Sequence, residues 1–325
     1  MRKGLSGLLM ASVLFLGACS TTTYLELSDT YVVEESATDA YAKIENSVVY
    51  IRSSDDTSYE VGSGVVVKED NEFVYILTNK HVVGVMTSFY EDYFENVEVR
   101  FKNGISAGAS IVGSYNKLDV AVLKVSKEEV AGAYTVADIS VSYNVSDSVL
   151  VYGNPMEIPF VVSKGIVSAT DSVADFESDG LGLYYGIQTD AAINPGNSGG
   201  GVFDINGNLI GIAQGGLSNR NGIGYAIPIK YAMAVANKLI ETGTYTISEY
   251  NFEYVDLSTL DYGSLGIAST ITEGVYVTSG TNQGKIVKAV NGVVIKNSKD
   301  MYMNRYLMGD TYTITYINAD GTEVA

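Results

Sequence analysis

One cysteine, one histidine, four prolines and no tryptophan stand among the 325 residues of this chain. A lone cysteine excludes a disulfide within the chain, and with a single histidine beside it no zinc site of the Cys/His kind can form. Cations are scarce as well: 20 Lys and Arg face 38 Asp and Glu, a formal net charge of −18. Acidity of that order argues against gripping nucleic-acid phosphates, which relies on Lys and Arg, and against electrostatic adhesion to anionic lipid. What is abundant is glycine, with 34 residues, and tyrosine, with 25, in a chain 46% hydrophobic and 18% charged. That mixture favours strands joined by tight turns over long helices. The length allows two or three domains and a sizeable core.

The first residues form an address. Arg2 and Lys3 precede an apolar run over residues 5–16, too short and too early for a stable membrane span. The only cysteine, Cys19, follows Leu16-Gly17-Ala18 at the cleavage point. This segment resembles the lipobox of bacterial lipoproteins, whose cysteine carries a diacylglyceryl group and becomes the mature N-terminus. An ordinary secretory signal with an incidental cysteine is the alternative. Removing residues 1–18 takes away two positive charges and no negative one, so anchoring would be by lipid and not by charge. Residues 19–40 are polar, without an apolar period, and read as a tether.

From Ile44 onward short β-rich runs alternate with turns. Residues 47–51, 62–67, 73–77, 97–101, 109–112 and 120–125 form a first set of six. A second set covers residues 149–152, 160–167, 183–188, 201–203, 209–213 and 222–227. Asn206-Gly207 is the strongest hairpin signal in the chain. The run Asp204-Ile205-Asn206-Gly207-Asn208 lacks the terminal glutamate of a calcium loop and reads as that turn. Count and spacing predict a mainly all-β protein with two similar six-stranded barrels over residues 41–130 and 145–229. A helix follows over 230–242, with Tyr231, Ala234, Val235, Leu239 and Ile240 on one face and Gly243 as its stop. A Tyr-rich link over 243–262 leads to a small unit over 263–325.

Three separated stretches carry the chemistry. Asn194-Pro195-Gly196-Asn197-Ser198-Gly199-Gly200 sets a serine among glycines, which let neighbouring N–H groups point at a developing oxyanion. His81, the only histidine, lies just past an apolar strand, and Asp119 opens another. A buried acid at such a place needs partners. Each has a bland reading alone, as a tight turn, a structural histidine or a surface aspartate. Together, in the order His81, Asp119, Ser198, they follow the triad of chymotrypsin-type proteases.

Thr78-Asn79-Lys80-His81-Val82-Val83, Leu118-Asp119-Val120-Ala121-Val122-Leu123-Lys124-Val125 and residues 188–200 resemble the three catalytic blocks of the HtrA (Deg) family of bacterial serine proteases. Tyr152-Gly153-Asn154-Pro155, Gly165-Ile166-Val167-Ser168-Ala169 and Gly222-Ile223-Gly224-Tyr225-Ala226-Ile227-Pro228 agree in position. The resemblance covers about residues 40–242 and implies a chymotrypsin-like double β-barrel endopeptidase needing no cofactor or metal. It implies Ser198 as nucleophile, His81 as general base and then acid, and Asp119 as the group that sets the histidine tautomer. The backbone N–H groups of Gly196 and Ser198 would be the oxyanion donors. Ala192 stands where trypsin-like enzymes carry the acid of the P1 pocket, and Tyr225, Ala226 and Ile227 would line a wall. Aliphatic P1 residues are therefore expected. Asn197 replaces the acid that pairs with a new N-terminus in zymogens, so activation by N-terminal cleavage is not expected.

The C-terminal unit resembles an abbreviated PDZ domain of α+β type. Ser264-Leu265-Gly266-Ile267 falls at the carboxylate-binding loop and first strand, with Leu265, Gly266 and Ile267 as the binding amides, and Asn291-Gly292 at the characteristic turn. The implied partners are unfolded or specific protein substrates, C-terminal peptides and a lipid-anchored bacterial membrane outside the cytoplasm. The resemblance also points to a homotrimer, which no feature of the sequence itself demands. A peptide-binding or chaperone-like protein with a vestigial triad is the alternative function.

Overall fold

Ser36 begins the described part of the chain by capping a helix: its side chain accepts from the Asp39 N–H while Asp39 accepts in return. This computed structural model describes residues 36–86, 91–175, 183–216, 222–309 and 311–324. The Cys19 segment and most of the tether lie outside these residues. The last part of the expected tether belongs instead to helix α1 (Ala37–Ile44), whose Ala40 and Ile44 are buried. The capping box and that small apolar face are the reason.

The first set of strands is β1 (Val48–Ser54), β2 (Tyr59–Glu69) and β3 (Phe73–Thr78), then a single helical turn, α2 (Lys80–Val83). A short ribbon of β4 (Gly84–Met86) and β5 (Glu91–Tyr93) follows, then β6 (Asn96–Arg100), β7 (Ser106–Gly108), β8 (Ser110–Tyr115) and β9 (Val120–Ser126). They form an antiparallel half-barrel in the order β7-β6-β1-β2-β3-β9-β8. Six of these strands overlap the expected ones, and the three-residue β7 is additional.

The second set is β10 (Ser148–Gly153), β11 (Val161–Asp175), β12 (Leu183–Thr189), β13 (Gly201–Asp204), β14 (Leu209–Gly216) and β15 (Gly224–Pro228). It closes as the six-stranded barrel β10-β11-β12-β15-β14-β13. The β13–β14 turn is the expected Asn206-Gly207 hairpin, with Gly207 at φ 82°.

Helix α3 (Ile229–Thr242) ends where the Gly243 N–H donates to the Leu239 carbonyl at 2.8 Å. Its buried face is centred on Ala232, Val235, Ala236 and Leu239, rotated from the expected one. The helix packs against β8, β9 and β14 of both sheets at once, and two alanines permit that close approach. The C-terminal unit begins inside the expected link: β16 (Phe252–Asp256) pairs with β17 (Val275–Gly280). Between them lies the short α4 (Tyr262–Leu265), and after them β18 (Ile286–Val290), β19 (Val293–Val294), α5 (Ser298–Asn304) and β20 (Ile314–Ile317).

Several buried apolar clusters lie among the described residues, within the first sheet, inside the second barrel and in the C-terminal unit, and one of them links these parts. This largest cluster joins Leu77 and Val122 of the first sheet, Tyr152 and Ile212 of the second, α3, and Met303 and Tyr306 of the C-terminal unit. Tyrosines make the seam: Tyr115 meets Tyr245 edge-on with ring centroids 4.8 Å apart and lies 6.2 Å from Tyr306. Edge-on contacts of this kind add to the burial of large rings.

Candidate active site

Strand register brings the first two candidates together. β3 and β9 are antiparallel neighbours with Thr78 opposite Ala121, so residues just beyond the end of β3 face residues just ahead of β9. His81 stands in α2 at the first of these places and Asp119 at the second. Asp119 has left-handed backbone angles, φ 54° and ψ 47°, a region in which aspartate is among the few tolerated side-chain-bearing residues. Its carbonyl accepts the Lys80 N–H at 3.3 Å and the Asn79 amide at 2.9 Å.

The Asp119 carboxylate is wholly buried and surrounded by donors. Oδ1 accepts the His81 backbone N–H at 3.0 Å, and Oδ2 lies 2.7 Å from His81 Nδ1 and accepts Gln214 Nε2 at 3.2 Å. An ionised carboxylate only accepts, so Nδ1 carries the hydrogen and Nε2 is left with its lone pair. These bonds offset the cost of burying the charge.

Ser198 sits between β12 and β13. Its hydroxyl donates to the Gln214 carbonyl at 2.8 Å, and its own carbonyl accepts the Ser63 N–H at 2.8 Å. Gly196 and Gly199 hold φ values of 97° and 81°. A Cβ on Gly196 would lie 2.4 Å from the Asn154 carbonyl oxygen, and one on Gly199 would lie 2.1 Å from that of Ser63. No residue but glycine fits either place. The Gly196 carbonyl is tied to Ser63 Oγ at 2.7 Å, and Ser63 Oγ accepts the Asn154 N–H at 3.0 Å and Nδ2 at 2.9 Å. Among the described residues, the N–H groups of Gly196 and Ser198 donate to no other protein atom. The site therefore holds an oriented imidazole, a hydroxyl and two unengaged amides.

Residues 62–212 match the trypsin-like peptidase domain family. The serine protease Do-like HtrA of Lactococcus lactis subsp. cremoris (strain MG1363) is 30% identical over 348 residues, which cover 91% of this chain and 83% of that protein. The chain belongs to the HtrA family of serine proteases. It is a serine endopeptidase. A probable periplasmic serine endoprotease, DegP-like, of Pseudomonas savastanoi pv. phaseolicola (strain 1448A / Race 6) is 32% identical over 262 residues, or 74% of this chain and 49% of that one. Among solved structures, the HtrA-type protease AlgW with a tripeptide superposes with a TM-score of 0.67 at 27% identity. That match covers 89% of this chain and 94% of the AlgW chain.

Within this HtrA site, two residues escape sequence reasoning. Gln214 is one. It falls at the register shift between Ala213 and Gly215 in the β14–β15 ladder. A bulge re-aims the side chain it carries, here toward Asp119 across the boundary between the two sheets. Its side chain thus touches the acid while its carbonyl touches Ser198. The signal available was a lone glutamine at the end of an otherwise apolar run, Leu209-Ile210-Gly211-Ile212-Ala213-Gln214. Ser63, between Gly62 and Gly64 in an apolar strand, gave a similar one.

Two expectations change, one for the substrate wall and one for the C-terminal loop. Ala226 and Ile227 are fully buried, Ala226 in the interior of the second barrel and Ile227 in the main core, so neither offers surface to a substrate. Tyr225 keeps partial exposure, and Ala192 is exposed with its carbonyl accepting Ser163 Oγ at 2.9 Å. The residue that shapes this side is Ile193, packed so that a Cβ on Gly224 would lie 2.9 Å from its Cδ1. Period-2 reasoning marked β15 correctly, but two facing cores claim its side chains.

Asn197 is also buried, and its amide reaches the Ala192 carbonyl at 3.4 Å. In the C-terminal unit, residues 264–267 do not make a strand. Tyr262–Leu265 is the helix α4, and the N–H groups of Gly266 and Ile267 donate to the Gly263 and Tyr262 carbonyls. Ile267 is buried and the exposed Leu265 lies in the helix, so this loop does not offer Leu265, Gly266 and Ile267 amides as a carboxylate cradle. The strand before Asn291-Gly292 is β18, in line with the expectation.

Proposed function

We propose that Ser198 is the nucleophile, His81 the general base and acid, and Asp119 the group that holds the histidine tautomer. The observation that carries this reading is one connected set of bonds: His81 Nδ1 to Asp119 Oδ2 at 2.7 Å, Gln214 Nε2 to the same oxygen, and the Ser198 hydroxyl on Gln214's own carbonyl. In the resting state the hydroxyl is parked on that carbonyl. Rotation about the Cα–Cβ bond of Ser198 would deliver it to His81 Nε2, a hydrogen bond that commonly tightens only when substrate binds.

Attack on the substrate carbonyl then passes the serine proton to His81, and the oxyanion forms against the N–H groups of Gly196 and Ser198. One such donor contributes about 3 kcal/mol of transition-state stabilisation. His81 next gives its proton to the leaving amine. Water, deprotonated by the same ring, hydrolyses the acyl-enzyme and frees the second product.

The acyl side of this site supports cleavage after small or branched aliphatic residues. Ala192 supplies no carboxylate for a basic P1 side chain, and Ile193 fills the space over Gly224. Profiling with a peptide library is expected to yield Val, Ile, Ala or Leu at P1. A profile dominated by Lys or Arg would contradict the assignment.

The pH dependence follows from the partners of His81. Burial pushes its pKa down, but the charge of Asp119, its hydrogen bond and the Glu60 carboxylate outweigh this and raise it above the ordinary 6.5. The base is needed neutral, so kcat/KM is expected to rise with pH along a limb centred above 6.5, and Glu60→Gln is expected to move that limb down. A wild-type limb at or below the ordinary histidine value would refute this. For stability the sign is opposite: the contribution of the raised group is full below the unfolded pKa and is lost as pH rises through the folded one.

Cellular placement rests on the leader and on relatives named as periplasmic. We assign residues 1–18 as a cleaved signal and Cys19 as the lipidated N-terminus of an envelope protease acting on proteins. The mass of the mature N-terminal peptide tests this, since a bare N-terminus at any other residue rules it out.

A further inference from the structure

We propose that the groove on the leaving-group side of Ser198 is a subsite for a lysine or arginine at P1′ or P2′ of the substrate. The proposal rests on the assignment of Ser198, His81 and Asp119 made above. Tyr59, Glu60 and Val61 at the start of β2, Met156 and Glu157, and the Pro195-Gly196 segment enclose a volume of about 270 Å³.

Its position relative to the chemistry follows from the backbone. β2 runs from this groove directly past the nucleophile, where the Ser63 N–H donates to the Ser198 carbonyl at 2.8 Å. Gly196, one of the two proposed oxyanion donors, is part of the wall, and the Met156 N–H fastens the other wall to the Pro195 carbonyl at 2.8 Å. Ala192 and Ile193, the acyl side, are not among the lining residues. The charge of Glu60 also reaches His81, the ring that hands its proton to the leaving amine. The chain beyond the scissile bond therefore leaves along this groove.

The lining has two chemistries. Tyr59 and Met156 are 54% and 67% exposed, a large apolar surface left open beside a catalytic serine. Met156 and Glu157 are both held at positive φ, 52° and 63°, which turns their side chains out of the regular path. Glu60 and Glu157 add two exposed carboxylates, and the Tyr59 hydroxyl donates to Glu157 Oε1 at 3.3 Å. Among the described residues, a cation in contact with a wall residue is Arg52, over the Tyr59 ring at 5.0 Å, and one positive charge does not cancel both acids. A long aliphatic stem ending in a cation matches this pairing of apolar wall and acidic rim. A shorter apolar residue uses the wall alone, and an acidic residue meets two like charges.

The test uses quenched-fluorescence peptides with valine at P1 that differ only by Lys, Ala or Glu at P1′ and P2′. Wild-type kcat/KM is expected to be about 5-fold higher for Lys than for Ala, from two partly solvated ion pairs, and lowest for Glu. The ratio should shrink as ionic strength rises. In the double variant Glu60→Gln with Glu157→Gln the ratio of Lys to Ala is expected to fall to about 1. Taking the ratio within each enzyme cancels any change in His81 basicity. Equal rates for Lys and Ala in the wild type, or an unchanged ratio in the double variant, overturns the proposal. Cleavage of the Ala peptide and its loss in Ser198→Ala report separately on the catalytic assignment.

Discussion

Ser198→Ala is expected to lower kcat by about 10⁶-fold, the scale seen when the nucleophile of a serine protease is removed. Among the described residues, the other hydroxyls beside the site are engaged: the chain neighbours are Gly196, Asn197, Gly199 and Gly200, the Ser63 hydroxyl donates to the Gly196 carbonyl at 2.7 Å and the Thr78 hydroxyl to the Ser63 carbonyl at 2.7 Å. Folding should be retained. The substitution removes one hydrogen bond, from Ser198 Oγ to the Gln214 carbonyl, with a net cost of about 1 kcal/mol. The Ser198 backbone, which carries the bond from the Ser63 N–H, is untouched. Peptide turnover and urea unfolding, measured on the same preparation, separate loss of chemistry from loss of fold. Turnover within about 10-fold of wild type would remove Ser198 from the mechanism.

Asp119→Asn is expected to cost about 10⁴ in kcat while the chain still folds. The carboxylate oxygens accept from three donors: the His81 N–H, His81 Nδ1 and Gln214 Nε2. An asparagine offers one acceptor oxygen and an NH₂. If its oxygen stays with the His81 N–H, the NH₂ meets both Nδ1 and the Gln214 amide. The imidazole then keeps its hydrogen on Nε2, which can no longer accept the serine proton. If it turns the other way, it loses the backbone bond that seats α2. Kinetics across pH, with tyrosine fluorescence following unfolding, check the result. A variant with nearly wild-type kcat would mean that Asp119 does not set the tautomer. Gln214 shares the Oδ2 oxygen, so a smaller loss accompanied by a changed pH profile would point to that amide taking part in orienting the ring.

Much of the fold was legible because its signals are local. The alternating strands of both sheets, the Asn206-Gly207 turn and the Gly243 stop each depend on residues within a few positions of one another. The ends of elements were less so. Helix α1 lay hidden in a polar stretch because a capping box and two buried side chains, Ala40 and Ile44, suffice to hold eight residues. Strand β16 was lost among tyrosines because its pairing partner, β17, lies some twenty residues further on. The C-terminal loop over residues 264–267 looked like a peptide cradle by position, but Gly266 takes a left-handed helix-stop geometry and its amide turns back on α4.

By itself the sequence determined where a serine stands among glycines, residues without a Cβ that let the neighbouring N–H groups turn toward a ligand; that Gly196 and Gly199 take positive φ beside the carbonyls of Asn154 and Ser63 came from the packing. The sequence also determined that the single histidine and Asp119 flank apolar strands. Only the tertiary structure decided which oxygen holds which hydrogen. The Asp119 Oδ2 contact to His81 spans 38 residues and that to Gln214 spans 95. The burial of Ala226 and Ile227 depends on which two cores β15 divides. Those facts rest on strand register and on one bulge in β14, where a shift of a single residue turns a side chain to the opposite face. A linear pattern carries the alternation of faces. The packing of distant strands alone says which face meets the acid.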